Sequence, residues 1–366
     1  MSFRSKSPAR VLEEIRALTA YRIPNVFTVD EILDHDYFET LLPALAKQPT
    51  ELILFYEVKS NLNRRQMEIL RDARVLRLQP GIESLSSPVL KLMRKGVSAY
   101  QNIRMLKWGA ELGITIWWNL LYGFPGERAE DYEAMAALLP AISHLNPPLV
   151  GCYKVRIDRF SPLHAESEAL GVGPTMPVPA YALVHAAPPE VLARLAYNFE
   201  PARDDRTFDY MPPMQDAMEA WRAAFGQSSL TGLHRSGVLH LFDRRPIAQE
   251  PMAALSAAER AIYLACDAGA TVAGIVAATG EPQSTVEGAL SRFTEKRWVL
   301  AIDGRYLSLA VMLDGKVREG VRDRLLPSYV HALHCKRMDM MYGRLGVGAA
   351  PRPVDARTSR ATRRQT

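Results

Sequence analysis

The sequence predicts an α/β protein: a partial (β/α)6 TIM-like open barrel missing its first strand, then a helical extension and a small winged-helix-like domain. Three observations carry that expectation. Helix-like and strand-like segments alternate from Ser7 to Arg156, the rhythm of parallel strands joined by crossover helices. The strand-like segments are nearly continuous in apolar residues, as they are where helices cover both faces. Polar side chains gather just after those segments, where parallel α/β folds place their ligands.

Ser7 caps the first expected helix, with Pro8 in its first turn and Val11, Leu12, Ile15 and Leu18 on one face. Asn25–Asp30 is a short apolar run that ends in acids, and a helix is expected over His35–Lys47. The strand Glu51–Val58, a helix at Asn63–Arg71, the strand Arg74–Gln79 and a helical stretch over Ser87–Leu112 follow. Ile114–Leu121, a helix over Glu127–Leu139 and the strand Leu149–Arg156 complete the alternation. Because the chain opens on a helix, the strand at Asn25–Thr28 is expected to lie at a bare apolar edge. The expectation is of a truncated or split form with an element missing upstream.

Composition excludes several classes. The 366 residues are 48% hydrophobic and 23% charged, the balance of a globular chain rather than a disordered or fibrous one. No uninterrupted apolar run approaches the ~20 residues of a membrane span. No signal-peptide segment opens the chain, and Cys152, Cys266 and Cys335 form no C-x-x-C pair, so a reducing, cytoplasmic setting is expected. The net charge of +5 is local: residues 344–366 hold six arginines against Asp355, and the remainder is neutral. That basic tail is expected to be disordered, and the neutral folded body is not expected to bind nucleic acid specifically.

Five consecutive strand ends carry charged or amide groups. Asp30 ends the first, Glu57 and Lys59 the second, and Gln79-Pro80-Gly81-Ile82-Glu83-Ser84 the third. Asn119 and Gly123-Phe124-Pro125-Gly126-Glu127 end the fourth, and Arg156, Asp158 and Arg159 the fifth. Such a set calls for a shared ligand.

In order and spacing, these motifs resemble the radical SAM enzymes, and among them the cobalamin-dependent branch that modifies ribosomally made peptides. The resemblance covers Phe3 to Gly173. It implies S-adenosylmethionine as cofactor, with Gly123, Phe124, Pro125 and Gly126 beneath the adenine. It places Gln79, Glu83 and Ser84 at the ribose and aminoacyl part. Glu57 and Lys59 would be the polar pair at the preceding strand end, and Asp30 would meet the amine. Asn119, Arg156 and Arg159 complete the expected site. It further implies a precursor peptide as substrate, a 4Fe–4S cluster and cobalamin. The cluster needs three gathered thiolates, and no C-x3-C-x2-C loop or cobalamin domain is present in the sequence. An upstream chain acting in trans is therefore an expected partner, and catalytic residues are left unassigned. A non-catalytic peptide-binding protein and a winged-helix regulator stay open as alternatives.

The expected domains are a partial barrel over 1–173, a helical, Pro-rich extension over 174–235, a winged-helix-like module over 236–312, a helical segment over 313–343 and the basic tail over 344–366. Within the module, Ser256–Asp267, Thr271–Thr279 and Ser284–Trp298 read as helices. Asp303-Gly304 is expected to close a hairpin in a type I′ turn. His331, His334 and Cys335 share a helix face with no fourth ligand, so no metal site is assigned.

Overall fold

The computed structural model describes residues 4–21, 23–30, 32–48 and 52–313. The chain divides into two units, Met1–Arg324 and Leu325–Thr366, and every described residue belongs to the first. The expected helix over 313–343, the basic tail and the His331, His334, Cys335 group lie outside the described residues.

Ser7 caps α1 (Pro8–Thr19) by accepting the Arg10 N–H, and Ile15 is its buried contact with the core. The chain then enters β1 (Asn25–Phe27). The single helix expected over His35–Lys47 is instead a 3₁₀ turn, His35–Phe38, followed by α2 (Leu41–Ala46). Pro43 explains the break: in a continuous helix its ring would clash with the carbonyl of Glu39, whereas a first-turn proline is tolerated. β2 (Ile53–Val58) leads to α3 (Arg64–Asp72), whose start is locked by reciprocal hydrogen bonds between Asn63 and Gln66 of 2.9 and 3.0 Å.

β3 (Val75–Pro80) precedes α4 (Ser87–Leu92) and α5 (Ala99–Leu112), which the sequence reading had joined. Arg94 and Gly96 between them take left-handed conformations, φ 54° and 69°, and end the first helix. The strand expected over Ile114–Leu121 is likewise two: β4 (Thr115–Ile116) and β5 (Leu120–Tyr122). Between them Trp118 turns into the core, 2% exposed, with its indole N–H on the Asn146 carbonyl at 3.0 Å and its ring against Trp221. Strands β1-β2-β3-β4 form one parallel sheet, in register Phe27↔Phe55, Glu57↔Gln79 and Leu78↔Ile116. After α6 (Ala129–Leu138), β5 pairs instead with β6 (Cys152–Lys154), and a lone bridge from Glu83 to Leu120 keeps the two walls in line.

A small antiparallel layer follows. Strand β7 (Ile157–Asp158), α7 (Pro162–Ala165), β8 (Thr175–Pro177), α8 (Ala180–Val184), α9 (Pro189–Leu195) and β9 (Asn198–Pro201) pack around Ile157, Ala196 and Phe199. Helix α10 (Met211–Phe225) then buries Met214, Met218 and Trp221 against α6.

β10 (Leu230–Arg235) and β11 (Val238–Asp243) form a hairpin closed by Ser236 and Gly237, both at positive φ. The domain boundary expected at 235/236 falls inside this hairpin. β10 was missed because its Thr231, Gly232 and His234 interrupt the apolar signal. The sheet adds β12 (Met252–Leu255) and ends in α11 (Ala257–Ala265), α12 (Val272–Thr279), α13 (Gln283–Glu295), β13 (Val299–Ile302), β14 (Arg305–Ser308) and β15 (Val311–Met312), which returns to pair with β10. Asp303 and Gly304 stand at φ 53° and 68°, as the expected type I′ turn requires. Among the described residues, no helix is long and apolar enough to cross a membrane.

Among the described residues β1 pairs on one side alone, and Phe27 and Val29 beside that edge are 47% and 97% exposed. An unpaired apolar edge templates association. Val29→Lys is expected to reduce concentration-dependent association, measured by light scattering across a dilution series.

Candidate functional site

Side chains of β1, β2 and β3 alternate between the two faces of the sheet. Leu54, Tyr56, Val58 and Leu78 are buried under the helices. The opposite face carries Phe27, Phe55, Glu57, Arg77 and Gln79, joined by Trp117 from the β4–β5 connection. Phe27, Phe55 and Trp117 form a ring cluster with centroids 5.2–5.7 Å apart, and the Arg77 guanidinium lies 5.9 Å from the Trp117 ring. Burial lowers the pKa of Arg77. The sequence reading missed these four. The signal was available, because Phe55 and Glu57, and Arg77 and Gln79, stand two residues apart on single strands.

Glu57 and Gln79 are register partners on neighbouring strands, about 4.8 Å apart at the backbone. Asp30 and Lys59 are exposed just beyond the ends of β1 and β2. Burial raises the Tyr56 phenol pKa, and the charge of Asp30 adds to the shift. Glu83 sits at φ 55° and pairs with Lys95 at 2.6 Å. Its loop is held from behind by Asn102, fully buried, whose amide donates to the carbonyls of Ile82 and Ser84 at 3.1 and 2.9 Å.

The Gly123–Glu127 turn is stapled by its own carboxylate. Glu127 accepts the N–H groups of Gly123 and Phe124 at 2.6 and 3.0 Å, the Tyr132 hydroxyl at 2.6 Å and the Tyr210 hydroxyl. Gly123 and Gly126 stand at φ 90° and 85°, which L side chains avoid. Phe124 is buried at 8% exposure and Pro125 is half-buried. From the far side, Arg206 donates to the Gly123 carbonyl at 2.7 Å and to Asp204, which also holds Lys154 at 2.7 Å. Hydrogen bonding from Arg206, aided by Lys154, holds the Asp204 carboxyl well below the usual carboxylate range. Tyr210 and Arg206 lie more than 75 residues beyond the turn, with no motif to announce them.

Other expected site residues are placed differently. Ser84 is fully buried and directed into the core, where its hydroxyl contacts the Met135 sulfur at 3.5 Å. Arg159 donates to the carbonyls of Ala196 and Ala193 and stacks over Phe199, so it braces the antiparallel layer. Both readings placed a polar residue near a strand end without knowing which face its side chain takes. Asn119 clips the Val150 N–H at 3.2 Å, and Arg156 pairs with Asp158 at 3.3 Å. Asp30, Glu57, Lys59, Gln79, Glu83 and the Gly123–Gly126 turn remain at the strand-end rim.

Residues 2–139 match the family model described as the Radical SAM superfamily. Over that stretch the chain is similar to radical SAM domains. The hopanoid C-3 methylase of Methylococcus capsulatus is 25% identical over 159 residues, which are 41% of this chain and 30% of that protein. The chain thus spans less than a third of the length of this curated relative. The cobalamin-dependent S-adenosylmethionine radical enzyme OxsB with aqua-cobalamin bound aligns at 20% identity with a TM-score of 0.35, over 40% of this chain and 24% of that one. The radical S-adenosylmethionine methyltransferase TsrM from Kitasatospora setae, with cobalamin and a [4Fe-4S] cluster bound, aligns at 17% identity with a TM-score of 0.41, over 60% and 46%.

Radical SAM domains imply S-adenosylmethionine and a 4Fe–4S cluster, and the described residues fit the two unequally. Glu57 and Gln79 are register partners at the end of the β1–β4 sheet, and Glu83 bridges to Leu120 shortly before the Gly123–Gly126 turn; an acid, an amide and a glycine turn are a donor set suited to an amine, a diol and a flat base. No group of three or more His, Cys, Asp or Glu among the described residues could hold a metal ion. Burial pushes the thiols of Cys152 and Cys266 up to about 12, so neither is a thiolate at neutral pH. The described residues do not fit a cluster.

Proposed function

We propose that this chain binds S-adenosylmethionine for a radical modification of a ribosomally made precursor peptide. The observation that supports it is that Glu57 and Gln79 are register partners at the end of the β1–β4 sheet while Glu83 bridges to Leu120, shortly before the stapled Gly123–Gly126 turn. In this reading Glu57 and Asp30 take the amine, Lys59 the carboxylate, Gln79 and Glu83 the ribose, and the turn the adenine. When bound, S-adenosylmethionine supplies a methyl or 5′-deoxyadenosyl group. The cluster and cobalamin are held by residues other than those described, a partner polypeptide among the candidates. α11, α12, α13 and the β13–β14 hairpin act as a winged helix that holds the peptide.

Calorimetry of the full chain with S-adenosylmethionine tests the site. Glu57→Ala and Glu83→Ala should each weaken binding by about 1.5–3 kcal/mol, the worth of a charge-assisted hydrogen bond. Equal heats in wild type and both variants would remove the assignment.

The misfit to a cluster favours a second reading, a non-catalytic protein that holds a peptide or partner subunit. Anaerobic loading of the chain with iron and sulfide, followed by dithionite and S-adenosylmethionine, tests this second reading: release of 5′-deoxyadenosine would overturn it. A winged-helix regulator has less support, because Arg292 and Lys296 of the third helix are engaged by Glu259 and Glu250 instead of facing phosphates.

A further inference from the structure

Between β9 and α10, residues 203–208 run without helix or strand. Side chains two apart on an extended chain share a face, and four of them, Asp204, Arg206, Phe208 and Tyr210, meet the Gly123–Glu127 turn or its flanking strands. Phe208 stands edge-on to Tyr122 of β5 at 5.4 Å, Tyr210 reaches Glu127, and Asp204 takes Lys154 of β6 at 2.7 Å. Arg203 and Asp205, the alternates, are exposed and paired with each other.

Arg206 is the member of this strap that touches the backbone of the turn. Its guanidinium places Nε and Nη2 on the two oxygens of Asp204 at 2.7 and 3.0 Å, and Nη1 on the Gly123 carbonyl at 2.7 Å. A planar fork held at two points is fixed in direction, so Asp204 aims the third donor. Charge alone does not explain the arrangement. Lys154 already balances Asp204, and a partly exposed ion pair contributes little.

The polar groups of the turn show what this brace controls. Glu127 accepts the N–H groups of Gly123 and Phe124, Arg206 donates to the first carbonyl, and the Glu127 N–H donates to the second at 3.2 Å. The next peptide is open. Among the described residues the Pro125 carbonyl and the Gly126 N–H have no hydrogen-bond partner, which leaves an acceptor and a donor for a ligand. Peptide groups are planar and the Pro125 ring fixes its own φ. Pinning the two preceding peptides therefore limits how this one can turn.

We propose that Arg206 is a positioning residue for the nucleotide: aimed by Asp204, it pins the Gly123 carbonyl and so presents the open Pro125–Gly126 peptide to the ligand. This rests on the nucleotide reading given above, and it makes the extension part of that site.

Three variants of the full chain test it by calorimetry with S-adenosylmethionine, by urea titration and by amide hydrogen exchange without ligand. Arg206→Ala should weaken binding about tenfold or more. It should also speed exchange in the peptide spanning residues 120–127 about tenfold. Arg206→Lys keeps a cation for Asp204 but cannot fork between carboxylate and carbonyl. It should restore the urea midpoint yet bind as weakly as the alanine variant, a split that a merely structural role would not give. Adding Asp204→Ala to Arg206→Ala should weaken binding no further, because Asp204 acts through the guanidinium. Wild-type binding by Arg206→Lys, additive losses in the double variant, or unchanged exchange overturns the proposal. A wild-type chain that gives no heat with S-adenosylmethionine, while Arg206→Ala still exchanges faster, removes the nucleotide assignment and leaves the brace on the turn. Unchanged binding by Arg206→Ala, with heat in the wild type, removes the brace alone.

Discussion

Lys107→Met is expected to cost the folded chain about 3–5 kcal/mol, read as a shift of the urea midpoint at unchanged slope. Lys107 lies on α5 with its side chain 1% exposed, and its ammonium is held by Asp267 at 2.6 Å and the Ser308 hydroxyl at 3.1 Å. Glu111, equally buried, accepts from Arg64 at 2.5 Å and from the Met312 N–H at 3.2 Å. Asp267 also takes the Trp108 indole N–H at 3.2 Å. Two bases and two acids balance in this cage, so removing the ammonium leaves the buried Glu111 and the partly exposed Asp267 to share Arg64. Adding Glu111→Leu restores the charge balance and should recover part of the loss, a coupling that independent sites would lack. Burial works to raise the Asp267 pKa, but Lys107 and Arg64 outweigh it and the net shift is downward. A depressed carboxylate stabilises above its unfolded pKa of about 3.9 and loses that contribution as pH falls through its folded value. The contribution of Asp267 is therefore fully present at neutral pH and is lost only on acidification.

Glu127→Ala should be the next most costly change. The carboxylate serves four donors on three segments, and hydrogen bonds to a charged group are worth about 1.5–3 kcal/mol each. The variant leaves the N–H groups of Gly123 and Phe124 and two tyrosine hydroxyls without their acceptor. A loss of about 3 kcal/mol is expected in urea, together with weakened nucleotide binding as the turn relaxes. Glu127→Gln keeps an acceptor oxygen and should recover much of the stability. A glutamine variant as unstable as the alanine would mean that charge, rather than acceptance, holds the turn.

The alternation of helix and strand, the parallel pairing and the edge position of β1 were legible because each rests on local pattern. Ser7 announced its cap, and Asp303 with Gly304 announced their dihedral angles. What escaped depends on partners distant in sequence. The fourth strand reads as one apolar run, yet Trp118 splits it by seeking Asn146 and Trp221. Ser84 and Glu83 are adjacent, and only the left-handed backbone at Glu83 decides which faces the rim. Arg206 and Tyr210 brace the Gly123–Glu127 turn from an extension to which the sequence assigns no chemistry. The module looked separate because no local pattern marks Lys107 and Glu111 as buried against it.

Helix α5 therefore has two employments. Near its start, Asn102 grips the loop that presents Glu83, and Tyr100 offers its N–H to Asp303 at the tip of the hairpin. Further on, Arg104 lies 4.4 Å from the Trp108 ring and reaches the Ala268 carbonyl at 3.1 Å, beside the ion cage. A rod of fourteen residues with one flank bonded to the barrel and the other to the module leaves neither half a melting temperature of its own. Prising the module away would take Asp267 and Ser308 from Lys107 and the Met312 N–H from Glu111. Heat should find one cooperative body where the sequence pattern set the barrel and the module apart.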